Sequence, residues 1–330
     1  MRLHMAKAPP TRLFVVLLRE VCASMGIKLR AHHGDWLLTL RQGTRTEHVF
    51  GYDFSLNSAA AQQIARDKSA TYSVLADARV PAVEHHLIMS PTLPDYMPAG
   101  GNWARLLELF EQWGRDLVAK PNEGTAGREV LRLRNQVELE RGIHQLLGKA
   151  RACAVSPFLA IRDEYRVLML DGEALLVYRK LRAAVTGDGR RRVTELLAEW
   201  LESGGAGGAV AEAKLKALGK MELTAAELDR VPVPGELVAI NWRHNLGQGA
   251  VAEALTGEAP ERVQLVKLAT KAMAALRLRV ASVDIVVTAN GGGRILEVNS
   301  GIMMEHFGLV ERARATAIYR RIIEAVFAKN

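Results

Sequence analysis

Three oxygen-bearing side chains near the end of this 330-residue chain are spaced for chemistry. Asp284 lies in the apolar run Ser282-Val283-Asp284-Ile285-Val286-Val287-Thr288, and Glu297 and Asn299 lie in Arg294-Ile295-Leu296-Glu297-Val298-Asn299. Asn290-Gly291-Gly292-Gly293 separates the two, so two strands meeting at a glycine turn are expected. A two-residue loop at Asn290-Gly291 sets Asp284 opposite Glu297, with β-carbons roughly 5 Å apart. A four-residue loop sets it opposite Asn299, and a three-residue loop breaks the arrangement. With either even loop the three side chains share a face, because strand side chains alternate. Two carboxylates and an amide oxygen among Val, Ile and Leu suit Mg²⁺ held jointly with substrate phosphates. The other reading is a solvent-facing polar stripe on an exposed hairpin.

Lys120 ends a second apolar run and precedes the loop Pro121-Asn122-Glu123-Gly124-Thr125-Ala126-Gly127. Backbone amides of such a loop can cradle phosphate oxygens while the ammonium neutralises charge. It is not a P-loop, since the Gly-Lys-Ser/Thr ending is missing. A plain turn is the alternative. In Trp242-Arg243-His244-Asn245-Leu246-Gly247-Gln248-Gly249, Arg243 and Asn245 beside glycines can hold an oxygen that gathers negative charge. His244 alone reads as a hydrogen-bonded surface histidine. Glu164 and Arg166 share a face of their strand, and one of Arg179 and Lys180 returns to that face on the partner strand.

These residues need a scaffold. An amphipathic helix over 10–25 leads into strands over 28–32, 36–41 and 47–52, and one helix is expected over 55–78. A Pro- and Gly-rich loop holding Pro91, Pro94, Pro98, Gly100 and Gly101 precedes a helix over 102–113. Strands over 116–120, 129–133 and 152–155 with a helix over 136–147 complete an α+β unit. Asp171-Gly172 is a tight-turn pair joining strands over 164–170 and 174–181. A helix over 193–202, the flexible run Gly204 to Gly208, and helices over 260–276 and 309–328 follow. The fold class is α+β, with helices on mainly antiparallel sheets.

Hydrophobic residues at 49% and charged residues at 24% supply an ordinary core and argue against a disordered chain. Two cysteines, Cys22 and Cys153, are too few for a disulfide framework and read as buried thiols in a reducing compartment. The net charge of +8 favours anionic partners, nucleotide or nucleic acid. The basic run at Arg190-Arg191-Arg192 reads as a solvated loop, and nucleic acid is not expected. No run approaches ~18 apolar residues, so no membrane span and a cytoplasmic location are expected.

Six motifs in order now acquire joint meaning: Asp67-Lys68, Val118-Ala119-Lys120-Pro121 with its glycine loop, Glu164-Tyr165-Arg166, Arg243-His244-Asn245-Leu246, Val283-Asp284, and Glu297-Val298-Asn299-Ser300. From Asp67 onward the chain resembles the ATP-grasp superfamily. Within it the chain is similar to amino-acid ligases: ribosomal-protein glutamate ligases, cyanophycin synthetase and the synthetase half of bifunctional glutathione-making enzymes. The resemblance implies two α+β subdomains (67–158 and 159–330) gripping ATP, after a small N-terminal domain (1–66). It implies that Lys68 and Lys120 touch ATP phosphates, that Gly124, Thr125, Ala126 and Gly127 close as a lid, and that Ser156, Phe158 and Leu159 form the adenine hinge. Glu164 would take the ribose hydroxyls and Lys180 a phosphate. Arg243 and Asn245 would steady an acyl phosphate. Asp284, Glu297 and Asn299 would hold a pair of Mg²⁺ ions, with Mn²⁺ as an alternative.

The implied reaction joins a small-molecule or peptide carboxylate to an amine, spending ATP, in a homodimer or homotetramer. A small-molecule kinase on the same fold, or a degenerate basic binding protein, are the other expectations. Two departures stand out: Ala154-Val155-Ser156 replaces the usual acidic residue before the hinge, and a long insertion separates Lys180 from Asn241.

Overall fold

The computed structural model describes residues 11–90, 102–124, 127, 129–203, 208–289 and 291–328. The chain opens with α1 (Leu13–Ser24) and an antiparallel meander of β1 (Lys28–His32), β2 (Leu37–Gln42) and β3 (Arg45–Phe50). The helix expected over 55–78 is broken into α2 (Ala59–Arg66) and α3 (Lys68–Asp77). The break is at Asp67, which is extended (φ −92°, ψ 114°) and whose side chain accepts the Ala70 N–H at 2.7 Å. An aspartate that caps a new helix competes with the helix it interrupts. The break lets the chain bridge to Glu123 and the Lys68 N–H reach the Asn122 carbonyl.

A four-stranded antiparallel sheet follows, from β4 (His86–Met89), β5 (Leu117–Pro121), β6 (Leu131–Leu133) and β7 (Ala152–Pro157), in the order β4-β7-β5-β6. It packs on α4 (Asn102–Gln112) and α5 (Gln136–Leu147) around Leu106, Leu109, Phe110, Ile143 and Val155. The Pro/Gly loop over 91–101 lies outside the described residues.

The larger sheet has the order β12-β9-β8-β13-β14, from β8 (Ile161–Leu170), β9 (Glu173–Leu181), β12 (Val251–Ala254), β13 (Val280–Thr288) and β14 (Gly293–Asn299). Between β9 and β12 the insertion folds as β10 (Ala184–Thr186), α6 (Val193–Glu202), α7 (Ala209–Leu218), α8 (Ala225–Asp229) and β11 (Leu237–Ala239) around its own core. Arg191 there pairs with Asp188 and Glu199, and Arg192 with Asp229, so these two arginines of the basic run are locally neutralised. Gly204 to Gly207 lie outside the described residues.

The large sheet has two differently employed faces. Tyr165, Val167, Val283 and Ile285 point to α2, α3 and α9 (Pro260–Leu276), forming one core. On the other face Leu168, Leu170, Leu176 and Tyr178 join α1, the meander and the C-terminal helices α10 (Glu305–Val310) and α11 (Arg312–Ala328). Further along that second face the residues turn polar, and the cleft begins. Each fully buried aliphatic side chain here contributes about 1.5–3 kcal/mol, which fixes the strands that carry the polar residues. Among the described residues no helix is long and apolar enough to cross a membrane.

Candidate functional site

Two β-bulges decide which side chains enter the cleft. At the Asp171-Gly172 turn, Leu170 opposes Glu173, a register that would set Arg179 against Glu164. Leu175 is an extra residue on β9, and beyond it Glu164 faces Lys180. Arg179 is turned to the opposite face, where it pairs with Asp163. On β14 the register next to the turn (Val287 opposite Gly293) has the odd parity that would break the shared face; Leu296 is extra, and Asp284 then faces Glu297. Asn299 is opposite Ser282, on the same face.

The floor is a buried quartet. Arg166 donates Nε and Nη2 to the two Asp284 oxygens, both at 2.7 Å. Lys180 Nζ lies 2.6 Å from Glu164 Oε1 and 3.0 Å from Asp284 Oδ2. Burial alone would raise the Asp284 carboxyl, but Arg166 and Lys180 outweigh it and hold it at about 2. Burial raises Glu164, only partly offset by Lys180. His244 Nδ1 lies 3.7 Å from Glu164 Oε2 and has no hydrogen bond. Its pKa falls to about 4, from burial first and then from Arg182 and Lys180.

Facing the quartet are two buried lysines. Lys68 Nζ donates to the Gly124 carbonyl at 2.8 Å and the Asn122 carbonyl at 3.3 Å, tying α3 to the root of the glycine loop. Lys120 is 7% exposed, and burial, reinforced by Lys68, lowers it to about 8. Beneath them is His85, fully buried, with Nδ1 on the Val83 carbonyl and Nε2 unpartnered. No sequence signal marked His85; the loop after α3 brings it there.

One cleft of about 620 Å³ is lined by every described candidate: Lys68, Lys120, Gly124, Gly127, Ser156, Phe158, Leu159, Glu164, Lys180, Arg243, Asn245, Asp284, Glu297 and Asn299. Thr125 and Ala126 lie outside the described residues. Gly127 is left-handed (φ +62°), and a Cβ on it would come within 2.5 Å of Asn245 Nδ2. Gly127 thus rests directly on Asn245. At the hinge, the Phe158 ring lies 3.4 Å from the Arg132 guanidinium and edge-on to Trp242. Arg166, noted in the sequence beside Glu164 but given no role, also lines the cleft, as do Ser282, Trp242 and Gln248, which were not among the candidates. The alternation that marked Asp284 marks Ser282 equally; Trp242 and Gln248 had only their nearness to Arg243.

The oxygen set fits a hard cation. The Glu297 and Asn299 side chains are half-buried and hold no hydrogen-bond or ion-pair partner among the described residues. Asp284 Oδ2 accepts from both Arg166 and Lys180, while Oδ1 accepts from Arg166 alone and keeps a lone pair. Among the described residues no three His, Cys, Asp or Glu side chains cluster as a metal set, and a cation held here would need the amide of Asn299 as its third donor.

No protein-family model matches the chain. It is 29% identical over 258 residues to cyanophycin synthetase of Nostoc sp., covering 72% of this chain and 26% of the relative. To cyanophycin synthetase of Synechocystis sp. it is 26% identical over 284 residues, covering 80% and 30%. The chain therefore spans under a third of the length of these relatives. Among solved structures it is similar to a bifunctional glutathione synthetase from Pasteurella multocida, with TM-score 0.55, 21% identity, and 95% of this chain and 43% of that one covered. It is also similar to D-alanine–D-alanine ligase from Bacillus anthracis, with TM-score 0.52, 14% identity, and 82% and 69% covered. The chain has the ATP-grasp fold, in the α+β class expected.

Proposed function

We propose that the chain is an ATP-dependent carboxylate–amine ligase that forms an amide through an acyl phosphate and releases ADP and phosphate. One observation carries the reading: Lys68 and Lys120 on one wall of a single cleft face Asp284, Glu297 and Asn299 on the other. The relatives' names, cyanophycin synthetase, glutathione synthetase and D-alanine–D-alanine ligase, support the same class.

In this reading a substrate carboxylate oxygen attacks the γ-phosphorus and ADP leaves. An amine then attacks the acyl carbon, loses a proton, and phosphate leaves. Lys68, Lys120 and Lys180 neutralise the phosphates, and Glu164 takes the ribose hydroxyls. Ser156, Phe158 and Leu159 border the base. Arg243 and Asn245 meet the oxygens that gain charge in both steps, so catalysis rests on positioning and preorganised charge. Asp284, Glu297 and Asn299 would hold a pair of Mg²⁺ ions, replaceable by Mn²⁺, which supply further neutralisation of phosphate charge. The setting we propose is the cytoplasm.

Phosphate release from ATP and Mg²⁺, measured against pooled amino acids, short peptides and organic acids, tests the reading. Release that needs two additives together supports it. A phosphorylated product from one additive, without an amide, replaces the ligase with a kinase.

A further inference from the structure

The insertion's border with the cleft is organised around one arginine. Asn241, 5% exposed, donates Nδ2 to the Ala217 carbonyl of α7 at 3.3 Å and accepts the Arg243 backbone N–H at 2.9 Å. The main chain of Arg243 is thus fastened to the insertion. Its side chain is held three more ways. The guanidinium carbon lies 4.6 Å from the Trp242 ring centroid, Nη1 lies 3.5 Å from Glu222 Oε1, and Nη2 donates to the Val130 carbonyl at 3.3 Å. Glu222 Oε1 also accepts the Trp242 Nε1–H at 2.8 Å, so one carboxylate oxygen holds both the ring and the cation stacked on it. Nε of Arg243 remains buried without a partner. Close packing completes the border: a Cβ on Gly249 would lie 3.2–3.3 Å from Ala217, Ala183 and Trp200.

We propose that the insertion positions Arg243, and that Glu222 is its positioning residue. The identity of the oxygen that Arg243 meets rests on the ligase reading; the clamp itself does not. Freezing a free arginine side chain costs conformational entropy, and a clamp formed on folding removes that cost from the reacting complex. Glu222 is about half exposed, so its ion pair adds little to stability. Its contribution is orientation: the Glu222 pair, the Val130 carbonyl and the Trp242 face fix the plane of a guanidinium that lines the cleft.

The test uses the whole chain with Glu222→Gln, which keeps an oxygen for Trp242 but drops the charge, and Glu222→Ala, which drops both. In ¹⁵N-labelled protein the Arg243 Nε–H and Nη–H signals, assigned by their loss in Arg243→Lys, report rotation of the guanidinium directly. Resolved, slowly rotating signals are expected in the parent and averaged ones in Glu222→Ala, with Tm essentially unchanged. For a substrate pair that elicits phosphate release, Glu222→Ala lowers kcat about tenfold with little change in KM for ATP, Glu222→Gln less, and Glu222→Ala adds no loss in an Arg243→Ala background. Unchanged Arg243 signals in Glu222→Ala overturn the proposal whatever the activity. An undiminished further loss in the Arg243→Ala background overturns action through Arg243. Averaged signals in a protein that no substrate pair activates uphold the clamp and count against the ligase reading alone.

Discussion

Asp284 faces Glu297 because Leu296 is bulged out of the ladder between Glu297 and the turn. The loop's parity taken by itself would have put the two carboxylates on opposite sides of the sheet.

Deleting Leu296 should remove the bulge and leave the facing pair intact. Without Leu296, Glu297 follows Ile295 directly, so the ladder runs on from Ile295 opposite Ile285 to Glu297 opposite Asp284, and ATP turnover should stay within about tenfold of the parent. Circular dichroism with a phosphate-release assay checks this. Lost turnover in a folded variant would mean that the site needs the bulge itself, through the twist it gives β14, and not only the facing of the two carboxylates.

Glu297→Ala separates chemistry from stability more gently. Its side chain has no hydrogen-bond or ion-pair partner among the described residues, so unfolding free energy should shift by less than about 1 kcal/mol. Turnover should nonetheless fall by ~10²-fold or more. Thermal melts and kinetics on one preparation are sufficient, and near-normal activity would remove Glu297 from the metal set.

Arg166→Met should do the reverse first. It strips the bidentate partner from a buried Asp284, and removing one member of a buried ionic set costs about 3–5 kcal/mol. A fall in Tm of roughly 5–15 °C is expected. A Tm within experimental error of the parent would show that Lys180 alone suffices.

Gly127→Ala tests the contact between Gly127 and Asn245. The new methyl would meet Asn245 Nδ2, and an L residue at φ +62° adds about 1–2 kcal/mol of strain. The expected result is a fall in kcat with a smaller change in ATP affinity, read by steady-state kinetics and calorimetry.

Acid should weaken the fold through His85 and His244. Burial depresses both, His85 well below its ordinary value and His244 to about 4. Between the unfolded value near 6.5 and the folded one, the unfolded chain binds more protons, so stability is full above that window and is lost as pH falls through it. The slope reaches ~1.4 kcal/mol per pH unit for each fully differential proton. Melts between pH 7 and pH 4.5, repeated on His244→Gln, should show the variant declining less steeply.

Much of this was written in residue order. The helices over 136–147, 193–202 and 260–276 and the six ordered motifs were legible because apolar period and turn chemistry are local. The bulges at Leu175 and Leu296 were not, because an extra strand residue is chosen by packing on both sheet faces and leaves no mark in alternation. Asp67 looked like an ordinary helix residue; only its cap on Ala70 and its bridge to Glu123 explain the break. Glu222 was hidden for a similar reason, since it is 21 positions from Arg243 within a stretch of weak pattern.

The quartet of Glu164, Arg166, Lys180 and Asp284 carries two formal charges of each sign, so its balance is struck inside the polypeptide. Proteins whose acidic ligands repel one another until an ion arrives are partly unmade when the ion is withdrawn. If the chain is the ligase we propose, withdrawing magnesium or nucleotide should therefore leave its fold intact.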